Sequence, residues 1–317
     1  MKMDCGEKIY VVLVNYNGMK YIKECIDSVY RQTYKDIKIV VVDNASSDGS
    51  LQILETYKDL VLIKRNKNEG FAKGCNIGIK YALKAKAEYV MLLNIDTVID
   101  DDMICKLYQN ADSNTVTTPK IFADYAKTKI WYSGGKIDYQ YGKHIQYQDR
   151  RLEGTSVNTS GKSVQFACGC CMLVHRDIWR KIGLLDEKYF MYFDDDDLSL
   201  RFLKGKIKIL YIPSATMWHK VGGCFQGSKN NLTQYYCTRN RLYFTKKHSD
   251  IMQVSFRELS WTIFLEQVIF PDQSDRPFRR YVIKGIIDFY MQRMYQANYD
   301  FSTKKRKVAN IYRQKME

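Results

Sequence analysis

The chain has 317 residues, 45% of them hydrophobic, and a formal net charge of +15. That length can bury a sizeable core, as one large domain or one domain with an appendage. The longest apolar patch, around residues 261–265, is cut by Glu266 and Gln267 and is too short to span a bilayer. With no apolar leader and cleavage site at its start, the expectation is a protein neither secreted nor membrane-spanning. Nine cysteines, an odd number set mostly in apolar runs, suggest reduced thiols in a cytosolic compartment. The charge is uneven: residues 1–200 hold 28 Lys and Arg against 27 Asp and Glu, whereas residues 201–317 hold 22 against 8. The excess in the last third points to a localised anionic partner.

Residues 9–14 (IYVVLV) form a short apolar run of buried-strand type that ends in Asn15-Tyr16-Asn17-Gly18. A helix follows with Ile22, Cys25, Ile26 and Val29 on one face. The strand over 37–42 ends in DNASSDGS (43–50), which opens a helix containing Leu51, Leu54 and Tyr57. A third strand, 61–63, runs into NKNEGF (66–71), and a helix through Asn76 to Leu83 leads to YVMLLNIDT (89–97). Alternating strands and helices predict βαβ units, a parallel sheet and right-handed crossovers. Each strand ends in Asn or Asp, where open α/β sheets bind ligands. Asp96 in particular is a hard oxygen donor suited to Mg²⁺ or Mn²⁺ on a phosphate. No GxGxxG follows the first strand and no GxxxxGK[ST] occurs, against a Rossmann dehydrogenase and a P-loop.

Short strands and turns are expected over 115–135. Residues 136–163 are polar and Tyr-rich with no strong period, the pattern of a functional or mobile loop. A strand is expected over 164–174, with the cluster Cys168-Gly169-Cys170-Cys171 as small core residues in preference to a metal site, followed by a brief helix from Asp177. Four consecutive acids, Asp194 to Asp197, open a helix carrying Leu198, Phe202 and Leu203. They suit an electrostatic cap. The aromatics Tyr189, Phe190, Tyr192 and Phe193 just upstream instead suggest a partly buried rim where a carboxylate's basicity is adjusted. After a strand over 207–212, His219 sits on a turn, as a surface histidine or, beside an acidic site, a metal ligand.

Taken together, VVLVNYNG (11–18), VVDNASSDGS (41–50), NEGF (68–71), LNIDT (93–97), LLDEKYFMYFDDDDLSLR (184–201), ATMWHKVGG (215–223) and YYCTRNRLYFTKKH (235–248) resemble the family 2 glycosyltransferases. The nearest likeness is to the rhamnosyltransferase-like branch that builds bacterial surface polysaccharides. The resemblance implies an α/β GT-A fold, a mostly parallel sheet flanked by helices, over a catalytic domain at 1–248. It also implies an inverting transfer from a nucleotide-diphosphate sugar (dTDP-rhamnose or a UDP-sugar) to a glycan or lipid-linked glycan. By position, Asn15, Asn17, Asp43, Asn44 and Asn76, with Asn94 and Asp96, match donor-binding residues. Asp96 and His219 match the metal site for Mg²⁺ or Mn²⁺, and Asp195 the catalytic base. Asn94 stands where a strict Asp-x-Asp signature has Asp, and Asp194 where Glu is more usual.

Residues 249–317 are expected to form a basic, amphipathic helical extension. Phe278, Tyr281, Ile286, Phe289 and Tyr290 alternate with Arg279, Arg280, Lys284 and Arg293, which suits an interfacial helix on an anionic membrane, and Lys304 to Lys307 add a basic run or a solvated tail. The protein would then sit in the cytoplasm, peripheral to the inner face of the plasma membrane. Two rivals compete: a nucleic-acid-binding protein using the basic third, though no RRM, zinc-finger or helix-turn-helix cue is present, and a sugar nucleotidyltransferase, which should carry a Gly-rich basic loop after the first strand.

Overall fold

The apolar runs of the first hundred residues become the middle of one twisted sheet. The chain is seen in a computed structural model that describes residues 7–123, 129–148, 161–220, 230–273, 275–299 and 301. In chain order the first half comprises β1 (Ile9–Asn15), α1 (Ile22–Tyr30), β2 (Ile37–Asp43), α2 (Ser50–Glu55), β3 (Val61–Lys64), α3 (Phe71–Lys84) and β4 (Tyr89–Leu93). β1 pairs in parallel with β2 and with β4, and β2 with β3, as the βαβ pattern requires. Helix α1 buries Ile22, Cys25, Ile26 and Val29, the predicted face. Helix α2 stops at Glu55, so Tyr57 lies beyond it.

Then follow β5 (Thr97–Ile99), α4 (Met103–Gln109), β6 (Thr115–Phe122), β7 (Ile130–Tyr132), β8 (Gly135–Asp138), β9 (Lys143–Gln146), β10 (Lys162–Val164), β11 (Cys171–His175), α5 (Arg176–Ile182), α6 (Asp194–Lys204) and β12 (Lys208–His219). Among the described residues the main sheet has ten strands, with the central path β10-β12-β6-β11-β4-β1-β2-β3. β11 runs antiparallel between β4 and β6, while β12 and β6 are parallel. The sheet is mixed but mostly parallel.

Three expectations change here. The region 136–163 is not loop throughout: β8 and β9 form an antiparallel hairpin, while residues 149–160 lie outside the described residues. The predicted strand over 164–174 is broken, because residues 165–170 leave the sheet between β10 and β11 to supply backbone groups elsewhere. Conversely, β12 continues through Pro213 as one strand, with a register shift between Ile212 and Thr216. A bulge is where a strand tolerates proline. His219 is thus the last residue of a strand, not part of a turn.

The C-terminal part holds α7 (Asn231–Lys247), α8 (Phe256–Phe264), a π-helical turn (Leu265–Ile269) and α9 (Arg279–Tyr290). Leu242 of α7 joins Leu259, Ile263, Val282 and Phe289 in a small apolar cluster, so the packing crosses residue 248. Helix α9 turns Tyr281 and Phe289 inward. Of the five apolar residues expected on an interfacial face only Tyr290 is exposed: Tyr281 packs with Tyr235 and Tyr236 of α7, and Ile286 and Phe289 join the cluster shared by α7 and α8. The run at 304–307 lies outside the described residues.

Helix α3 approaches β1 closely because two of its residues lack side chains. A Cβ on Gly78 would stand 2.3 Å from Val12 Cγ1, and one on Gly74 2.6 Å from Val14 Cγ1. Val12 is buried and β-branched, with no room to move. Gly78→Ala should therefore lower stability by about 1–2 kcal/mol in denaturant melts, although alanine alone gains about 1 kcal/mol in helix propensity. Adding Val12→Ala should recover part of the loss. Additive losses in the double variant would place the strain elsewhere.

Candidate active site

Strands β1, β2 and β4 point their carboxyl ends the same way, and the polar residues that stop them gather there. Asn15 pairs in register with Asp43 at the ends of β1 and β2. Its buried amide nitrogen donates to Asp43 Oδ1 at 2.7 Å, Ser50 Oγ at 2.8 Å and Ser46 Oγ at 3.0 Å. Asp43 Oδ2 accepts from the Ser46 backbone at 3.1 Å, and Asn17 Oδ1 accepts from the Ser47 backbone at 2.8 Å. These three residues stitch the β1 loop to the β2 loop.

After β4, the chain turns at residues 94–97 under two bonds to the Asn94 carbonyl, from Thr97 Oγ1 at 2.6 Å and Cys25 Sγ at 3.4 Å. β5 then pairs with the end of β12 so that Thr97 faces His219. That register sets Asp96 Oδ1 at 3.2 Å from His219 Nε2, both side chains nearly buried. Trp131 stands edge-on to His219 at 4.7 Å between ring centres. The side-chain oxygen of Asn94 is buried without a hydrogen-bond partner.

A cavity of about 470 Å³ opens at this edge. Asn44, Asn94, Asp96, His219 and Asp195 line it; Asn15, Asn17, Asp43 and Asn76 do not. Asn76 is the clearest departure from expectation. Its amide binds the Leu185 backbone through both ends and also Glu187, so it holds the chain ahead of α6 with nothing left for a ligand. Asn44 donates to the Gly70 carbonyl at 3.0 Å and keeps a buried, unpartnered side-chain oxygen.

The four acids of α6 have four different surroundings. Asp195 alone is partly open. It accepts from the Gly169 backbone N–H at 2.9 Å, within the segment that leaves the sheet before β11. Burial and the neighbouring Asp196 push its carboxyl up to about 6 against the pull of His144 and Gly169. Asp194 is buried, and burial with the charge of Asp195 raises it well above the usual carboxylate range. Asp196 accepts from both the backbone and Nδ1 of His144, at 2.9 and 2.8 Å. Asp197 is no helix cap: it is buried against Lys247 at 2.7 Å and Arg201 and His248 at 2.8 Å. Despite burial, His248, Arg201 and Lys247 hold it well below the usual range.

The aromatic rim before α6 is held under backbone strain. Phe190, Tyr192 and Phe193 all have positive φ, 63° to 67°, which aromatic side chains rarely adopt. Helix α7 holds them there. Asn240 donates to the carbonyls of Tyr189, Met191 and Tyr192 at 2.8–2.9 Å. Arg239, fully buried, bonds the Tyr295 and Tyr189 carbonyls at 2.8 and 3.2 Å, with its guanidinium 4.8 Å from the Tyr236 ring centre. On the other side a Cβ at Gly70 would lie 2.6 Å from the Phe190 carbonyl oxygen, which itself accepts from the Phe71 N–H.

Sequence patterning missed His144, Trp131, Gly169 and the α7 pair. His144 and Trp131 sit in segments without strong periodicity, and no local signal sets Gly169 apart from other small residues. The Arg239-Asn240 dipeptide lay inside a recognised motif but carried no assigned role.

Two buried acids three residues apart should respond oppositely to substitution. For Asp197, folding lowers the pKa, so its stabilisation is complete above the unfolded value of about 4 and is lost as pH falls through the folded one. Asp197→Asn should cost about 3 kcal/mol or more at pH 7, since it strands a buried cation cluster. For Asp194, folding raises the pKa, so stability declines as pH climbs from about 4 through the folded value. Asp194→Asn should stabilise at pH 7 and do nothing below pH 4. Melts of both variants across pH check the signs, and equal losses at pH 7 would refute them.

With the geometry in view, the chain compares with known proteins as follows. It is 26% identical over 281 residues to a dTDP-rhamnosyl transferase of Shigella flexneri, covering 86% of this chain and 91% of that protein. A rhamnosyltransferase of Escherichia coli K12 is 25% identical over 80% of this chain and 92% of its own. Among solved structures, a mannosyltransferase from Pyrobaculum calidifontis, in complex with GDP-Man and Mn²⁺, matches with a TM-score of 0.56 at 13% identity. That match spans 90% of this chain and 87% of the other, a likeness of fold, which is the GT-A type. The model of glycosyl transferase family 2 matches residues 10–183, more than half the chain, and to that family, on its rhamnosyltransferase-like side, the chain belongs.

Proposed function

We propose that this glycosyltransferase works with inversion, moving rhamnose from dTDP-rhamnose, or a sugar from a UDP-sugar, to a glycan or lipid-linked glycan of a bacterial surface polysaccharide. The observation that carries it is one cavity lined by a raised, partly open carboxylate (Asp195) together with the Asp96–His219 pair. In this reading residues 1–248 are the catalytic domain and residues 249–317 an extension.

Inversion needs the acceptor hydroxyl to attack the anomeric carbon opposite the departing diphosphate. A hydroxyl is a poor nucleophile, so a carboxylate must take its proton as the bond forms. Asp195 fits: it is exposed to the cavity and oriented by the Gly169 N–H, and its pKa near 6 combines ionisation at pH 7 with useful basicity. Asn44 would face the nucleoside with its free amide oxygen, while Asn15, Asn17 and Asp43 would shape the loops around it.

The donor set near Asp96 suits Mg²⁺ or Mn²⁺: a carboxylate, an imidazole and the orphaned amide oxygen of Asn94. Among the described residues no group of three His, Cys, Asp or Glu side chains gathers as a metal site, so the donor's phosphates would have to complete the coordination. When bound, the ion would supply Lewis-acid stabilisation to the leaving diphosphate.

A thermal-shift panel of dTDP-rhamnose, UDP-sugars and GDP-sugars with Mn²⁺ tests the donor. The true donor should raise the melting temperature by ligand linkage. Transfer should fail in EDTA and return with Mg²⁺ or Mn²⁺, and full activity in chelator would remove the metal from the scheme. Asp195→Asn should cut turnover by about 10²–10⁴ with nucleotide affinity nearly intact. Near-normal turnover would exclude Asp195 as the base, and the anomeric configuration of the product, read by NMR, decides inversion.

We further propose that the C-terminal helices rest on an anionic membrane surface from the cytoplasmic side. No helix among the described residues is long and apolar enough to cross a membrane. Trp261 and Phe270, 62% and 76% exposed, together with Ile287, Tyr290 and Met291, project from α8, α9 and the π turn between them. The basic balance of residues 201–317 would add about 1 kcal/mol per Lys or Arg near such a surface. Trp261→Ser with Phe270→Ser should reduce co-sedimentation with anionic vesicles, as should high salt. Unchanged co-sedimentation would sink the proposal, and preferential retention by nucleic acid would favour the rival partner.

A further inference from the structure

Beyond the residues assigned above, the β8–β9 hairpin brings an ionisable group to the acid run of α6. We propose that His144 is a positioning residue for transfer: it sets a positive charge beside the acids of α6 and so keeps Asp195 ionised and able to accept a proton at neutral pH. The inference rests on Asp195 as the base.

The geometry is tightly specified. His144 gives two hydrogen bonds, from its backbone N–H and from Nδ1, to the same Asp196 oxygen, at 2.9 and 2.8 Å. Its ring lies flat on buried Phe166, 4.0 Å between centres and 7° from parallel. An ionised carboxylate only accepts, so Nδ1 carries a proton, and stacking prevents the ring from turning away. His144, Asp195 and Asp196 all line the cavity.

Electrostatics agree with the geometry. Burial disfavours the imidazolium, but Asp196 and then Asp195 outweigh it, and His144 is raised to about 9. In return His144 opposes the burial and the Asp196 charge that push Asp195 up. Without that cation, Asp195 would face the negative charge of Asp196 with only backbone N–H groups in its favour, and more of it would be protonated at pH 7. Other ionisable groups stand around the pair. Lys143 is adjacent in β9, Asp194 is beside it on α6, and Cys237 and Arg241 come from α7, where Arg241 bonds the Tyr141 carbonyl at 2.8 Å. Cys168 and Cys170 precede β11, and Asp96 and His219 line the same cavity. They are the same in wild type and variant, so their contribution cancels in a comparison.

His144→Gln keeps a hydrogen-bond donor for Asp196 and removes the charge. The test is the pH dependence of kcat for the full chain with its nucleotide-sugar donor. Wild type should lose activity below about pH 6, as Asp195 protonates. In His144→Gln that acid limb should move up by on the order of one pH unit. Its rate should fall about two-fold at pH 7 and about five-fold at pH 6, and return to the wild-type rate by pH 9, with donor KM unchanged. A rate lowered equally at every pH, with the limb in place, would show a structural role only and overturn the proposal. If His144→Gln does not fold, imidazole NMR of the wild type decides: one of its four histidines should stay charged to about pH 9, and titration of all four below pH 7.5 refutes the cation. Asp195→Asn separates the two levels. Activity retained in that variant removes the base itself, whereas an inactive Asp195→Asn beside an unmoved limb in His144→Gln removes only the role of His144.

Discussion

Four carboxylates in succession repel one another, and most of the architecture around the cavity follows from how the fold separates them. The start of α6 favours negative charge, but a helix terminus is worth only about 0.3–1 kcal/mol at ordinary exposure, too little for four charges. Each acid is therefore given its own surroundings. Asp197 goes to a cationic group drawn from α6 and α7, Asp196 to the β8–β9 hairpin, and Asp194 is buried beside Asp195, where its charge is suppressed. Asp195 is left facing the cavity, oriented by one backbone N–H. The distinct setting of Asp195 is a product of the disposal of its three neighbours.

The same elements that settle the charges also hold the rim. Three aromatic residues in a left-handed conformation would relax to extended backbone if their carbonyls were free. Asn240 takes the Tyr192 carbonyl, the N–H groups of Phe71 and Asp197 take those of Phe190 and Phe193, and Asn240 with Arg239 also holds the Tyr189 carbonyl, on a helix α7 itself packed on α8 and α9. Helix α7 thus lines the cavity through Thr233 and Cys237, while α8 and α9 pack on α7 without lining it. Their apolar surface is spent on this packing, so the expected interfacial face of α9 is largely covered and exposed apolar side chains appear elsewhere.

Much of the site could be read from local pattern because strand ends are local features. An apolar run followed by Asn or Asp marks both the strand and the polar group that terminates it, which located Asn44, Asn94 and Asp96; Asp195, in an acid run opening a helix, was singled out by the family resemblance. Local pattern could not separate residues that face a ligand from those that brace the residues facing it. Asn15, Asp43 and Asn76 have the same chemistry as Asn44, yet their amides and carboxylates are consumed by loop bonds. His144 was invisible for a related reason: a four-residue strand with alternating exposure, in a polar stretch, carries no period strong enough to register.

The linear sequence determined the strand and helix order, the parallel core of the sheet and the edge at which a ligand would bind. Those depend on hydrophobic period and on residue types at strand ends, which act over a few positions. Only the tertiary structure decided that β12 runs on past Pro213 to put His219 opposite Thr97, that the chain breaks from the sheet at 165–170 to offer Gly169 to Asp195, and that a hairpin brings His144 to Asp196. Those pairings join residues 26 to 122 positions apart, and they are selected by the desolvation of buried charge, a cost that exists only once the sheet has closed around it.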